Sequence, residues 1–392
     1  MTSHLNSLSF RGERGCRFQL LFPGVVHNFW VKALTFVFCY NQNIMIPTNK
    51  NVAVLHPYLD KKWWASSMMI YLSTFLQNKN NNVNLYSFSR DKFKFLSFIK
   101  IAFVIRKSDY IIIWNSPMQF AAVLSKFLFR SNAKIIWWHH HYPWYYRQNP
   151  NVYIKLKRFF EKCIIKSIDS VIVNSKYLQD SIKDIYKVDS KILYPVLDDK
   201  FLNYNTSSLN SFSLDGEGGC KKIVKTIFSY WRWVEGKNLE MIFRTYEELK
   251  DEVSNLILKI WWEWNEIEKY KNKYKEDKNV IFLWKVNISQ IIENLEQSNL
   301  FLFPSKIDSF WLVIIESMSI WIPVISYNLS WAKEIVKNWI NWYLVDSDSE
   351  FIKRSYEILS NSSLEDNLSI GALKTSTTFT IKTFEKQLSK IL

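Results

Sequence analysis

Asp308-Ser-Phe-Trp-Leu-Val-Ile-Ile-Glu316, running on through Ser-Met-Ser-Ile-Trp321-Ile-Pro323-Val-Ile-Ser326, sets two carboxylates across a loop-to-helix junction. Just upstream, Leu300-Phe-Leu-Phe303 is a short apolar run closed by Pro304-Ser305, the pattern of a buried strand ending in a loop. Residues from Leu312 to Ser319 then read as a helix. A loop after a strand, followed by a helix N-terminus, is a ready anion site, because free backbone N–H groups and the positive dipole end point into it. Such a junction needs a residue without a Cβ if a phosphate is to approach the backbone, yet Trp311 stands there. Glu316 falls one turn inside the helix, where a carboxylate accepts hydrogen bonds from ribose hydroxyls. Asp308, before the junction, is placed to reach the hydroxyls of a bound sugar. Two solvated acids on an ordinary amphipathic helix are the plain alternative.

The strand-and-helix rhythm continues on both sides. Asn51-Val-Ala-Val-Leu-His56 reads as a first strand, followed by a loop holding Trp63-Trp64 and a helix near residues 66–78. Further strands are predicted at 83–88, 110–113 and 134–138, Val171-Ile-Val-Asn174-Ser175 is another strand ending in a polar turn, and Lys191-Ile-Leu-Tyr-Pro195 closes this half. A second alternating set runs from Ile223 to about Val345, and 349–392 reads helical. Strands that alternate with helices imply parallel sheets. The expected architecture is α/β, with one Rossmann-like domain over 45–205 and a second over 222–375. A Ser-, Asn- and Gly-rich linker or loop over 206–221 separates them, and a C-terminal helix occupies 376–392. Residues 1–44 look foreign: Gly12, Gly15 and Gly24 occur there, lysine is sparse, and the apolar run 18–38 is broken by Pro23, His27, Asn28 and Lys32. That run lacks the form of a spanning helix or a signal peptide. Met45 is expected to be the true start, with 1–44 an extension outside the fold; a disordered or membrane-touching extension is the alternative.

With 392 residues, 48% apolar and 22% charged, the chain has the composition of a globular protein with room for two domains. A net charge of +15 fits an anionic partner: a phosphorylated donor, an anionic membrane face or nucleic acid. No helix-turn-helix or zinc-finger pattern accompanies the charge, so no nucleic-acid partner is expected. Cys16, Cys39, Cys163 and Cys220 are scattered without a Cys-x-x-Cys pair, which suggests a reducing compartment and no metal site. His139, His140 and His141 are consecutive, and on a strand their side chains alternate faces and cannot converge on one ion. Lys155-Leu-Lys-Arg-Phe-Phe-Glu-Lys162-Cys-Ile-Ile-Lys166 is a basic amphipathic stretch, suited either to an anionic membrane or to a core helix with a solvated lysine face.

The segment around Glu316 resembles the retaining glycosyltransferases of family 4, whose signature sets two glutamates with seven residues between them around a Phe-Gly-Leu core. Trp321-Ile-Pro323-Val324 resembles the family's Gly-x-Pro-Val strand. Ser330-Trp331-Ala-Lys-Glu334-Ile-Val and Asn338-Trp339-Ile-Asn341-Trp342-Tyr-Leu-Val follow its next two segments. Upstream, Phe228-Ser-Tyr-Trp231-Arg232-Trp-Val-Glu-Gly236-Lys237 is similar to the Gly-Arg-then-Lys segment that clamps the donor diphosphate. Lys259-Ile-Trp-Trp262-Glu-Trp264 and Phe282-Leu283-Trp284 match its Gly-x-Gly turn and Phe-Leu-Gly. The resemblance covers residues 51–376. A weaker likeness, His56-Pro57-Tyr58 before Trp63-Trp64 together with His141-Tyr142-Pro143, points toward mannosyltransferases that build lipid-linked oligosaccharides. There Ala65-Ser66-Ser67 replaces the usual acidic and basic residues.

In nearly every motif the family glycine is written as tryptophan, and the chain holds 18 Trp against 8 Gly although glycine is normally among the commonest residues. The chain is also rich in residues with AT-rich codons. The pattern implies a gene that uses UGA for glycine, read with a table in which UGA is tryptophan; a true Trp-rich surface is the other reading. With indoles in the phosphate loops, the polypeptide as written is expected to fold poorly or to bind no donor.

The resemblance implies a GT-B fold, two Rossmann-like domains facing a central cleft, with the acceptor in the first and the donor in the second. It implies metal-independent transfer of a hexose, with retention, to a glycan or lipid-linked hydroxyl, without a cofactor. Carried over residue by residue, Arg232 and Lys237 neutralise the diphosphate, His141 orients sugar or acceptor, and Asp308, one carbon shorter than the family glutamate, reaches the sugar. Trp63, Trp64, Trp231, Phe310, Trp311, Leu312, Val313 and Glu316 complete the donor site. A catalytically inactive homologue serving as a binding subunit is the rival reading. A cytoplasmic protein is expected, with a peripheral position on the inner membrane face left open.

Overall fold

Near-continuous runs of Val, Ile, Leu and aromatic residues build two six-stranded sheets, each parallel throughout. The computed structural model describes residues 8–11, 17–20, 45–56, 64–87, 95–114, 118–140, 152–204, 224–231, 238–262, 267–284, 286–306, 312–328, 332–336, 340 and 342–392. Within the first 44 residues, β1 (Leu8–Arg11) and β2 (Arg17–Leu20) pair antiparallel in a sheet of their own.

The first lobe runs β3 (Asn51–His56), α1 (Trp64–Asn78), β4 (Asn82–Ser87), α2 (Phe95–Lys107), β5 (Tyr110–Ile113), α3 (Met118–Leu128), β6 (Lys134–His139), α4 (Val152–Ile165), β7 (Ser170–Val173), α5 (Lys176–Tyr186) and β8 (Lys191–Ile192). Its sheet order is β4-β3-β5-β6-β7-β8. Both faces are buried, as a parallel sheet requires. Ala53, Leu55, Ile111, Ile113, Ile135, Trp137, Val171 and Val173 face the layer of α2 to α5. Their alternates Val52, Val54, Ile112, Ile136, Trp138 and Ile172 face α1.

The second lobe runs β9 (Thr226–Trp231), α6 (Leu239–Leu249), β10 (Ile257–Trp262), α7 (Ile267–Lys273), β11 (Val280–Leu283), α8 (Ile288–Glu296), β12 (Leu300–Phe303), α9 (Leu312–Ser319), β13 (Val324–Tyr327), a 3-10 turn at Ala332–Glu334, β14 (Tyr343–Val345), α10 (Asp348–Ser360) and α11 (Ser362–Ser376). The order β11-β10-β9-β12-β13-β14 is that of a doubly wound sheet. Side-chain caps fix several helix starts. Ser175 caps α5, Asn287 and Gln290 form a capping box on α8, and Ser347 caps α10. A last helix, α12 (Ile381–Ile391), returns to the first lobe, where Phe384, Leu388 and Ile391 join the core formed with α1.

The strands expected at 51–56, 110–113 and 300–303 and the helix at 312–319 have those bounds. The strand read from Val171 runs to Val173 and ends in the expected polar turn at Asn174-Ser175, where Ser175 caps α5. Two expectations need correction. Trp64 opens α1 rather than lying in the preceding loop. The closing strand is only Lys191–Ile192. Among the described residues no helix is long and apolar enough to cross a membrane.

Candidate functional site

In the second lobe the strand order reverses between β9 and β12, and a doubly wound sheet offers its ligand crevice beyond the strand ends at such a reversal. The chain segments that leave this point are those carrying Arg232 and Lys237, after β9, and Asp308, Phe310 and Trp311, after β12. These five residues, with Trp63 and His141, lie outside the described residues. Trp231 ends β9, while Leu312 and Val313 open α9 with Leu312 buried.

Glu316 sits one turn into α9, and its carboxylate Oε2 accepts the Tyr230 hydroxyl at 2.6 Å. Tyr230 comes from the penultimate position of β9, so the bond ties the strand on one side of the crevice to the helix on the other. Burial first, then the adjacent Glu316 charge and the bond itself, hold the Tyr230 phenol far above its ordinary range, so it stays a donor. Ser229 adds a second tie, donating to the Leu302 carbonyl at 2.9 Å from within the core. Sequence reasoning missed Tyr230; the signal available was a polar-tipped residue at a strand's C-terminal end. Lys306, three positions beyond the end of β12, lies 3.6 Å from Asp348 and 4.8 Å from the Tyr327 ring centroid.

The C-terminus of α9 carries direct information on the tryptophans. Trp321 has φ 66°, the left-handed region. The Ile322 N–H donates to Ser317 O at 3.1 Å and the Trp321 N–H to Met318 O at 3.1 Å. That pair of bonds is the Schellman motif, whose left-handed position glycine favours because it lacks a Cβ. Trp342 is fully buried, and its indole N–H has no hydrogen-bond partner among the described residues.

At the first lobe's strand ends, aromatic rings gather. His140 stacks on Trp114, with centroids 3.3 Å apart, and tilts against Trp138 at 4.8 Å. His139 packs on Trp137 at 4.4 Å. The neighbouring histidines therefore join the two different faces of the sheet. Among the described residues no group of three His, Cys, Asp or Glu side chains is arranged to hold a metal. Between the lobes, Glu334 of the 3-10 turn accepts the backbone N–H groups of Lys176 and Tyr177 at 2.7 Å each.

Each lobe matches a known family. Residues 77–199 match Glycosyltransferase Family 4, and residues 217–375 match Glycosyl transferases group 1. No curated protein matches the sequence. Solved structures share the fold over most of their length. HepE of Anabaena, in complex with UDP and glucose, has a TM-score of 0.65 at 13% identity, over 87% of this chain and 98% of that one. Sucrose-phosphate synthase of Thermosynechococcus elongatus has a TM-score of 0.68 at 13% identity, over 86% and 97%. A glycosyltransferase of Rickettsia africae has a TM-score of 0.65 at 14% identity, over 86% and 96%.

Proposed function

We propose that this member of the GT-B glycosyltransferase family transfers a hexose from a nucleotide diphosphate sugar to a hydroxyl of a glycan or lipid-linked acceptor, with retention of configuration. The observation that carries the reading is Glu316, held by Tyr230 at 2.6 Å beside the crevice between β9 and β12. A carboxylate fixed there by a buried phenol is positioned to accept ribose hydroxyls. The first turn of α9 offers backbone N–H groups to a diphosphate. Arg232 and Lys237, rather than a metal, neutralise the charge that grows on the leaving group. Asp308 and Phe310 hold the sugar, and Trp63, Trp64 and His141 meet it from the first lobe. In the transfer, the bond from the sugar's anomeric carbon to the diphosphate breaks, a bond to the acceptor oxygen forms, and the hydroxyl gives up its proton. Closure of the lobes excludes water from that step. HepE of Anabaena, whose complex contains UDP and glucose, supports a nucleotide-linked donor. The subgroup likeness favours mannose, a cytoplasmic setting and peripheral contact with the inner membrane face.

The same reading includes recoding: glycine stands in the native protein at motif positions such as 311, 321 and 342. The left-handed backbone of Trp321 supports it. Mass spectrometry of tryptic peptides from the native source decides it, and tryptophan at those three positions overturns it.

The function is tested on protein with glycine restored at the motif tryptophans. Calorimetric titration with UDP, GDP and ADP is expected to find one that binds, with binding lost in Glu316→Ala and Arg232→Ala. Binding of none of the three, or unchanged affinity in both variants, overturns the donor site.

A further inference from the structure

We infer that the outer face of α2, α3 and α4 seats the chain on an anionic lipid bilayer. Helix α3 packs between α2 and α4, and the three bury their inner faces against one side of the first-lobe sheet. Their outer side exposes Phe103, Leu124, Leu128, Leu156, Phe159 and Phe160, with Phe159 60% exposed. In α4 the usual arrangement is inverted. Its Glu161 is buried, accepting the Tyr186 hydroxyl at 3.1 Å, while Leu156, Phe159 and Phe160 face outward. Helix α3 repeats the inversion, with Gln119 and Ser125 inside and Leu124 and Leu128 outside. Contiguous exposed apolar surface of this kind marks a contact site.

Charge selects the occupant. Glu161 is the sole acidic residue in the three helices, and it is buried. Arg106, Lys107, Lys155 and Lys162 are exposed on the same helices, and Arg130 and Lys166 lie just beyond their ends. Phenyl and leucyl groups interspersed with cations, with no exposed acid, suit the boundary between acyl chains and anionic headgroups. A second copy, with its own net charge of +15, would set like charge against like. The inference deepens the peripheral membrane reading given above by naming the surface and the lipid class. Helix α4 follows directly on the segment that carries His141, so a bilayer on this face lies next to the expected acceptor side.

The full chain, with glycine restored at the motif tryptophans, is sedimented with vesicles of phosphatidylcholine alone and of phosphatidylcholine with phosphatidylglycerol. The expected result is pelleting with the anionic vesicles only, weakened by salt. Partition should fall roughly tenfold in Leu156→Ser/Phe159→Ser and fall again in Lys155→Gln/Lys162→Gln. Circular dichroism and nucleotide titration on the same preparations separate this from the donor reading, since vesicle binding needs no donor. A variant that keeps its fold and nucleotide affinity but stays in the supernatant places the loss on this face. No pelleting by the parent chain overturns the inference, as does pelleting indifferent to lipid charge and to both variants. A parent dimer that Leu156→Ser/Phe159→Ser converts to monomer, without vesicle binding, assigns the face to a second copy and likewise overturns it.

Discussion

Glu334 and Tyr194, which belong to different lobes, are joined by a hydroxyl-to-carboxylate hydrogen bond of 3.0 Å. The same carboxylate takes the first two backbone N–H groups of α5, from Lys176 and Tyr177. Ser175 takes the third, from Leu178, at 3.1 Å. A carboxylate of the second lobe thus completes the cap of a helix in the first lobe, where the helix dipole favours negative charge. It is a bridge across which the two lobes are coupled.

Removing that carboxylate leaves two N–H groups to water and the Tyr194 hydroxyl without its acceptor. Glu334→Ala is expected to cost about 1–3 kcal/mol of stability, and Glu334→Gln less, because its amide oxygen still accepts. Amide hydrogen exchange is the sharper readout. Lys176 and Tyr177 should exchange faster in Glu334→Ala while Leu178, capped by Ser175, changes least. Unchanged protection at Lys176 and Tyr177 would contradict the bridge.

Several buried or half-buried phenols donate to carboxylates: Tyr230 to Glu316, Tyr194 to Glu334, Tyr327 to Asp348 and Tyr246 to Asp277. In each case burial is the largest cause that lifts the phenol above its ordinary value. A phenol whose folded pKa is raised binds its proton more tightly in the native state than in the unfolded one. Its contribution is complete below about pH 10, the unfolded tyrosine value, and is lost as pH rises toward the folded value. The urea midpoint is therefore expected to hold up to about pH 10 and to fall as pH rises above it. Tyr230→Phe should make that fall shallower and, at neutral pH, weaken nucleotide binding by freeing Glu316. A midpoint flat across this range would refute the linkage.

The sheets were legible because their signal is local. Asn51–His56, Tyr110–Ile113 and Leu300–Phe303 are apolar runs bounded by turn residues, and Leu312–Ser319 follows a proline-closed loop. What stayed hidden depends on contacts remote in sequence. Tyr230 and Glu316 lie 86 residues apart, and Tyr194 and Glu334 lie 140 apart, so no periodicity links them. The composition of α4 left open which side faces the core; only packing decided that Glu161 goes in and Phe159 stays out. The place of Glu316 one turn into a helix was legible because a position relative to a helix start can be read from sequence alone. Glu334 was quoted within a motif, but its partners could not be.

Helix α12 is another such remote contact. It closes the chain on the first lobe, with Leu388 fully buried against residues of β3 and α1. Gln387 accepts the Tyr194 N–H at 2.9 Å, and the Ile391 carbonyl accepts Lys191 Nζ at 3.0 Å. Leu388→Ala is expected to lose about 2–5 kcal/mol, the transfer of the side chain plus the cavity left behind. The loss should appear in the first lobe. Tryptophan fluorescence of Trp114 and Trp138, which lie in the same core, is expected to change at a lower urea concentration than in the parent. An unshifted transition would place α12 elsewhere.

Trp321 offers a test of backbone strain that does not depend on any ligand. Its φ of 66° puts a Cβ where the following carbonyl crowds it, at a cost of about 1–2 kcal/mol for an L-residue. Among the described residues it is the one aromatic residue with positive φ; the others are Asn, Arg or Lys. Trp321→Gly removes the Cβ and is expected to raise stability by about 1 kcal/mol, net of the entropy that glycine adds to the unfolded chain. Trp321→Ala separates the causes, because it removes the indole but keeps the Cβ. Urea denaturation of all three proteins should rank glycine above tryptophan, with alanine no better than tryptophan. Equal gains for glycine and alanine would mean that indole bulk, not the left-handed backbone, is what the α9 terminus disfavours. A loss for glycine would mean that the packed indole outweighs the strain.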